Sequence, residues 1–112
     1  MQKLSLTALA HQQLKLAQSA PNGRSAKTVY GGHEHLLRQT LIALTADQAL
    51  AEHENPGEAT VYVVQGRVRL TAGDDAWEAS AGDLLVIPER LHSLVAMQDA
   101  AVLLTGGRHR GP

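Results

Sequence analysis

At 112 residues the chain is long enough for one hydrophobic core and too short for two. Hydrophobic residues at 44% and charged residues at 19% give a globular balance, while a formal net charge of −1 provides no basic stripe for nucleic acid. Aromatics at 3% leave few stacking platforms, and the absence of cysteine excludes disulfides and thiolate metal sites.

The first element is an amphipathic helix over residues 5–19. Leu6, Leu9, Ala10, Leu14, Leu16 and Ala17 fall on one side at the helical period, Ser5 is placed to cap the start, and Pro21-Asn22-Gly23 stops it. Gln13 interrupts the apolar arc. Such a helix packs on the outside of the domain or on a partner subunit. His11, Gln12, Gln13 and Lys15 break any apolar core that a signal peptide needs, and no apolar run is long enough to span a membrane. A cytoplasmic location without membrane contact is expected.

From Ala26 the pattern changes to short strands. Lys27–Tyr30 ends at Gly31-Gly32, and Leu36–Leu44 alternates Leu36, Arg38, Thr40, Ile42 and Leu44 with Leu37, Gln39, Leu41 and Ala43. Leu50–His53 leads into a polar turn around Pro56-Gly57, followed by the β-branched run Thr60–Val64, Gly66 and a strand over Arg67–Thr71. Gly73-Asp74-Asp75 turns the chain into Ala76–Glu78. Ala81-Gly82-Asp83 turns it again into Leu84–Ile87, ended by Pro88, before strands over His92–Met97 and Ala100–Thr105. Short strands with turn signals every eight to twelve residues or so indicate a sandwich or closed barrel. The expected organisation is a helix and linker over 1–25, a β-barrel over 26–105 and a mobile tail over 106–112.

Six histidines are the one compositional hint of chemistry. His53 and Glu58 flank the Pro56-Gly57 turn at what becomes a barrel mouth, where small barrels build ligand pockets. Ala59, Val61 and Val63 share a strand face and line the expected cavity. His35 is a further pocket candidate if its strand extends back to it; with His33 it forms an H-x-H that equally suits a loop. Arg38 and Gln39 point to opposite faces, and the one facing inward is a buried polar group suited to a substrate carboxylate or hydroxyl. An outward Arg38 is favoured, which assigns the cavity position to Gln39.

The segments His53–Gly66 and Gly82–His92 together resemble the two motifs of the cupin superfamily. In the first, Asp47 stands at the leading glycine, His53 at the first histidine, Asn55 at the second, and Gly66 closes the motif. In the second, Gly82 and Pro88 match, Arg90 replaces a glycine, and His92 arrives one residue early. The resemblance covers residues 36–105. It implies an all-β fold, a double-stranded β-helix or jelly-roll barrel of the RmlC-like type with one N-terminal helix, and a homodimer.

It also implies one divalent first-row metal, Fe, Mn, Ni or Zn, held in the family by three histidines and a carboxylate. Here Asn55 is an amide, a weaker ligand than imidazole, and Ala59 takes the family glutamate's place. Glu58, one residue earlier, reaches inward only if the turn is tightened, because a one-residue slip reverses the face. With it, His53, Glu58 and His92 make a 2-His-1-carboxylate set suited to Lewis-acid or oxygen chemistry on a chelating substrate. Without it, His53 and His92 are hydrogen-bonding groups of a metal-free pocket, and Asn55 is a turn residue or a ligand contact.

Three functions follow from these residues: a cupin binding a small polar molecule, with or without metal-dependent catalysis; a non-catalytic ligand-binding or sensing domain; and a structural dimerisation module whose barrel is filled by side chains. The small-molecule reading is preferred, since the polar turn makes an open mouth.

Overall fold

The computed structural model describes residues 2–32, 34–53, 58–88 and 90–107, with the side chains of 51–53 outside that description. Helix α1 (Leu6–Ser19) begins where the Ser5 hydroxyl accepts the Ala8 backbone N–H at 3.2 Å. It buries Ala10, Gln13, Leu14 and Ala17, the i, i+3, i+4, i+7 stripe of a helix lying on a flat surface. Gln13 is accommodated because the Ser25 hydroxyl lies 2.7 Å from its side-chain oxygen and 2.8 Å from its backbone carbonyl. A buried polar side chain thereby keeps a partner. Leu16, placed by its spacing on the apolar side, is exposed. No described helix is long and apolar enough to cross a membrane.

Among the described residues nine strands follow: β1 (Arg24–Tyr30), β2 (Leu37–Leu44), β3 (Ala49–His53), β4 (Glu58–Gln65), β5 (Arg67–Ala72), β6 (Asp75–Ser80), β7 (Leu84–Val86), β8 (His92–Ala96) and β9 (Ala100–Gly107). They form two antiparallel sheets, one in the order β1-β2-β9-β4-β7 and the other in the order β3-β8-β5-β6. This is the expected double-stranded β-helix. The strand expected to stop at Thr105 runs on to Gly107, because Gly106 and Gly107 pair with Arg38 and Leu37 on one side and with Ala59 and Glu58 on the other. The remainder of the expected mobile tail, 108–112, lies outside the described residues.

Strand β2 is covered on both faces. Ile42 and Leu44 enter the core between the sheets, with Val63, Val68, Leu70 and Val102, while Ala43 and Ala101 pack outward against Ala10, Leu14 and Ala17 of α1. At the helix end of the molecule small alanines let the helix approach; on the inner side branched side chains interdigitate at interior density.

Asp99, just before β9, ties the helix to the barrel. Its Oδ2 accepts from Gln18 Nε2 at 3.0 Å and its Oδ1 from the Ala46 backbone N–H at 2.9 Å. The Gln18 bond, then the Ala46 bond, hold its carboxyl below the ordinary value of 3.8 against slight desolvation. A carboxyl with a folded value below its unfolded one stabilises the fold fully above the unfolded value, and that contribution is lost as pH falls through the folded value. Asp99→Asn is therefore expected to unfold at lower urea than the wild type at neutral pH, with the gap closing in acid below 3.8. A gap of constant size across that range removes Asp99 from the acid response.

Candidate functional site

Alternation along β2, fixed by Ile42 and Leu44 pointing into the core, sends Thr40 and Arg38 to the same inner face. The register then builds rungs across three strands. Thr40, Leu104 and Val61 form one, and Arg38, Gly106 and Ala59 form the next toward the mouth. Deeper in, the rung of Ile42, Val102 and Val63 is closed by branched side chains. Toward the mouth the inward side chains shrink to an alanine and a glycine, so the facing sheets cannot fill the space between them.

The result is a cavity of about 620 Å³, within the range typical of small-molecule sites. Its walls are mainly apolar, with Leu50, Leu70, Ile87 and Leu94 among them, and its polar groups are His35, Arg38, Thr40, Glu58 and His92. Tyr30 meets His35 edge-to-face, with ring centroids 5.3 Å apart at 73°, at the entrance formed by the β1–β2 loop.

His92 is 5% exposed, and its Nδ1 lies 2.8 Å from the Arg90 carbonyl oxygen. A carbonyl only accepts, so Nδ1 carries the proton and, in the neutral ring, Nε2 carries the lone pair. A backbone carbonyl on the distal nitrogen is the usual way a metal-ligating imidazole is oriented. His53 and His92 are register partners across β3 and β8.

The other sequence-derived candidates fall into place by register. Ala59 and Val61 line the cavity, whereas Val63 lies fully buried in the core beneath it and does not reach the lining. Glu58 pairs with Gly107, on the alternate parity to Ala59, and contributes to the exposed rim. Gln39, expected inward, lies on the other face, where its Nε2 donates to Thr105 Oγ1 at 3.2 Å. Arg38, expected outward, lines the cavity instead. The reversal has one cause: apolar residues occupy both parities of β2, and only the helix on the outer face decides which is which. Asn55 and the side chain of His53 lie outside the described residues, as does His33. Among the described residues no group of three His, Asp or Glu side chains is close enough to hold a metal. Thr40, Gly106 and Gly107 also line the cavity and were not anticipated. The alternation through Thr40 was visible in the strand pattern, but the two glycines read as tail.

A two-sheet jelly roll with an open, mostly apolar cavity and a buried histidine in its wall defines the class. Residues 41–105 match the family described as a cupin domain, and the chain belongs to the cupin family. A conserved protein of unknown function from Streptococcus pyogenes shares the fold at a TM-score of 0.76 and 21% identity, covering 98% of this chain and 90% of that one. KdgF from Halomonas sp. gives a TM-score of 0.68 at 23% identity, covering 81% of this chain and 84% of its own. An RmlC-like cupin from Desulfovibrio desulfuricans gives 0.64 at 26% identity, covering 73% and 79%. No curated protein matches the chain.

One backbone position explains part of the motif resemblance. Asp47, at the leading glycine of the first motif, has φ of 73°, a left-handed conformation that aspartate tolerates better than most residues. Its N–H is held by the Ala96 carbonyl at 2.8 Å.

Proposed function

We propose that this cupin binds a small polar molecule in the cavity between its sheets, as a cytoplasmic protein. The observation that carries this is the 620 Å³ space itself, because a purely structural module would fill its barrel with side chains. Apolar walls supply affinity, and His35, Arg38, Thr40 and His92 supply orientation. The same groups serve a sensing domain as well as an enzyme, and catalysis is not needed for the binding role. The test is a thermal-shift screen of small acids, sugars and their neutral analogues against chelator-treated protein. At least one class is expected to raise the midpoint in proportion to the logarithm of its concentration. A screen in which nothing smaller than the cavity stabilises the protein would end this reading.

A metal-dependent version is favoured by the His53–His92 register pair and by the Arg90 carbonyl on His92 Nδ1. In this reading one first-row divalent metal takes His53 and His92 as imidazole ligands and Glu58 as the carboxylate. Against a tight site stand Glu58's place on the rim and the alanine at position 59. A bound metal would supply Lewis acidity toward a chelating ligand.

We also propose a homodimer. Tyr62 and Leu84 are register partners, Val86 follows on the same edge strand, and all three are exposed on the outer face. A second copy covering this strip protects both the apolar surface and the outer edge of β7, which pairs with no strand among the described residues. Sedimentation showing only monomer at micromolar concentration would remove the dimer.

A further inference from the structure

Gly106 is a glycine whose backbone does not require one. It is absent from the positive-φ positions, it lies within β9, and it is paired on both sides, with Arg38 and with Ala59. A Cβ at this position would meet nothing nearer than the Glu58 carbonyl oxygen at 4.0 Å. Glycine inside a paired strand weakens it, and the position suits a β-branched residue better. What glycine contributes here is empty space on the inward side of the rung, beside Arg38.

The Arg38 guanidinium is poorly engaged. Among the described residues its guanidinium donates to the Thr28 hydroxyl at 3.5 Å, the outer limit of such a bond. The ion pairs among the described residues join Arg67 to Glu78 and Arg90 to Asp75, and Arg38 belongs to neither. An exposed cationic fork therefore borders a bare strip of strand that opens onto an apolar floor of Leu104 and Val61.

The geometry points to a carboxylate subsite: the cavity takes a small organic monoacid, its carboxylate paired with Arg38 and its carbon skeleton lying over Gly106 against Leu104 and Val61. The guanidinium fork matches a carboxylate in two parallel bonds, which a neutral amide cannot reproduce. Glu58 on the rim repels a second carboxylate, so monoacids are preferred to diacids. This inference rests on the binding role proposed above and names the ligand class for it.

The test is calorimetric titration of the full chain with hexanoate and phenylacetate, each beside its amide. The acids are expected to bind about tenfold tighter than the amides or better. Arg38→Gln is expected to level that difference. Gly106→Val is expected to abolish acid binding while leaving the ligand-free melting temperature unchanged or raised, since it restricts the unfolded chain and suits a strand. Acids and amides binding alike, or binding confined to neutral compounds, would overturn the carboxylate assignment and leave the binding role standing. Wild-type acid binding in Gly106→Val, or lower ligand-free stability in that variant, would overturn the part given to Gly106. Failure of every probe here and in the thermal-shift screen would end both readings together.

Discussion

Gly66→Ala is expected to destabilise the fold by about 3 kcal/mol or more, a large share of what a domain of this size has. Gly66 joins β4 to β5 with φ of 83° and packs against the chain entering β9. A Cβ there would overlap the Asp99 carbonyl oxygen and lie 2.8 Å from the Ala100 Cα. Both are backbone atoms, so no rotamer change relieves the overlap. The left-handed conformation alone costs an L-residue about 1–2 kcal/mol. Gly82 separates the two effects. Its φ is 94°, and a Cβ there meets nothing within 4 Å. Gly82→Ala should therefore show the conformational cost alone, about 1–2 kcal/mol. Urea denaturation of both variants measures the difference. Equal losses would mean that the Asp99–Ala100 segment yields, and that close packing at Gly66 contributes nothing.

The same two glycines show which parts of the fold were legible in the sequence. Gly66, Gly82 and Asp47 are spaced as a cupin motif spaces its glycines, and each has positive φ in the structure. Turn chemistry is local, so these positions announce themselves without knowledge of the rest of the chain. The strands between them were legible for a similar reason, since their apolar runs end at those turns.

What resisted reading was facing, which is not local. Leu41 and Ala43 are as apolar as Ile42 and Leu44, because one pair meets α1 or its surroundings and the other meets the core. A strand covered on both sides loses the alternation that marks its inner face. Hence Arg38 and Gln39 were exchanged. Gly106 and Gly107 failed differently. Followed by Arg108, they have the composition of a tail, and only pairing with β2 and β4 makes them part of the cavity wall. A glycine selected for space leaves the same letter as one selected for flexibility.

The metal reading makes the second large prediction, and His92 is the residue on which it can be isolated. Zinc, nickel, manganese or iron at about a hundred times its dissociation constant should stabilise the wild type by about 2.7 kcal/mol. For a chain of this length that is a rise of about 10 °C in the melting temperature. His92→Asn is the informative change. The asparagine amide can still donate to the Arg90 carbonyl, replacing the Nδ1 bond at 2.8 Å, but it offers nothing in place of the Nε2 lone pair. Because His92 is buried, plain truncation to alanine would mix loss of packing with loss of ligation. The expected result is no metal-dependent rise above the variant's own ligand-free melting temperature. His53→Ala should abolish the rise in the same way, since two separate single changes each break a two-imidazole site. Glu58→Ala should reduce it by less, in keeping with a carboxylate on the exposed rim. An undiminished rise in His92→Asn and His53→Ala would move any metal to other residues. No rise in the wild type would leave the cavity to metal-free binding, in which Arg38 rather than the histidines selects the ligand.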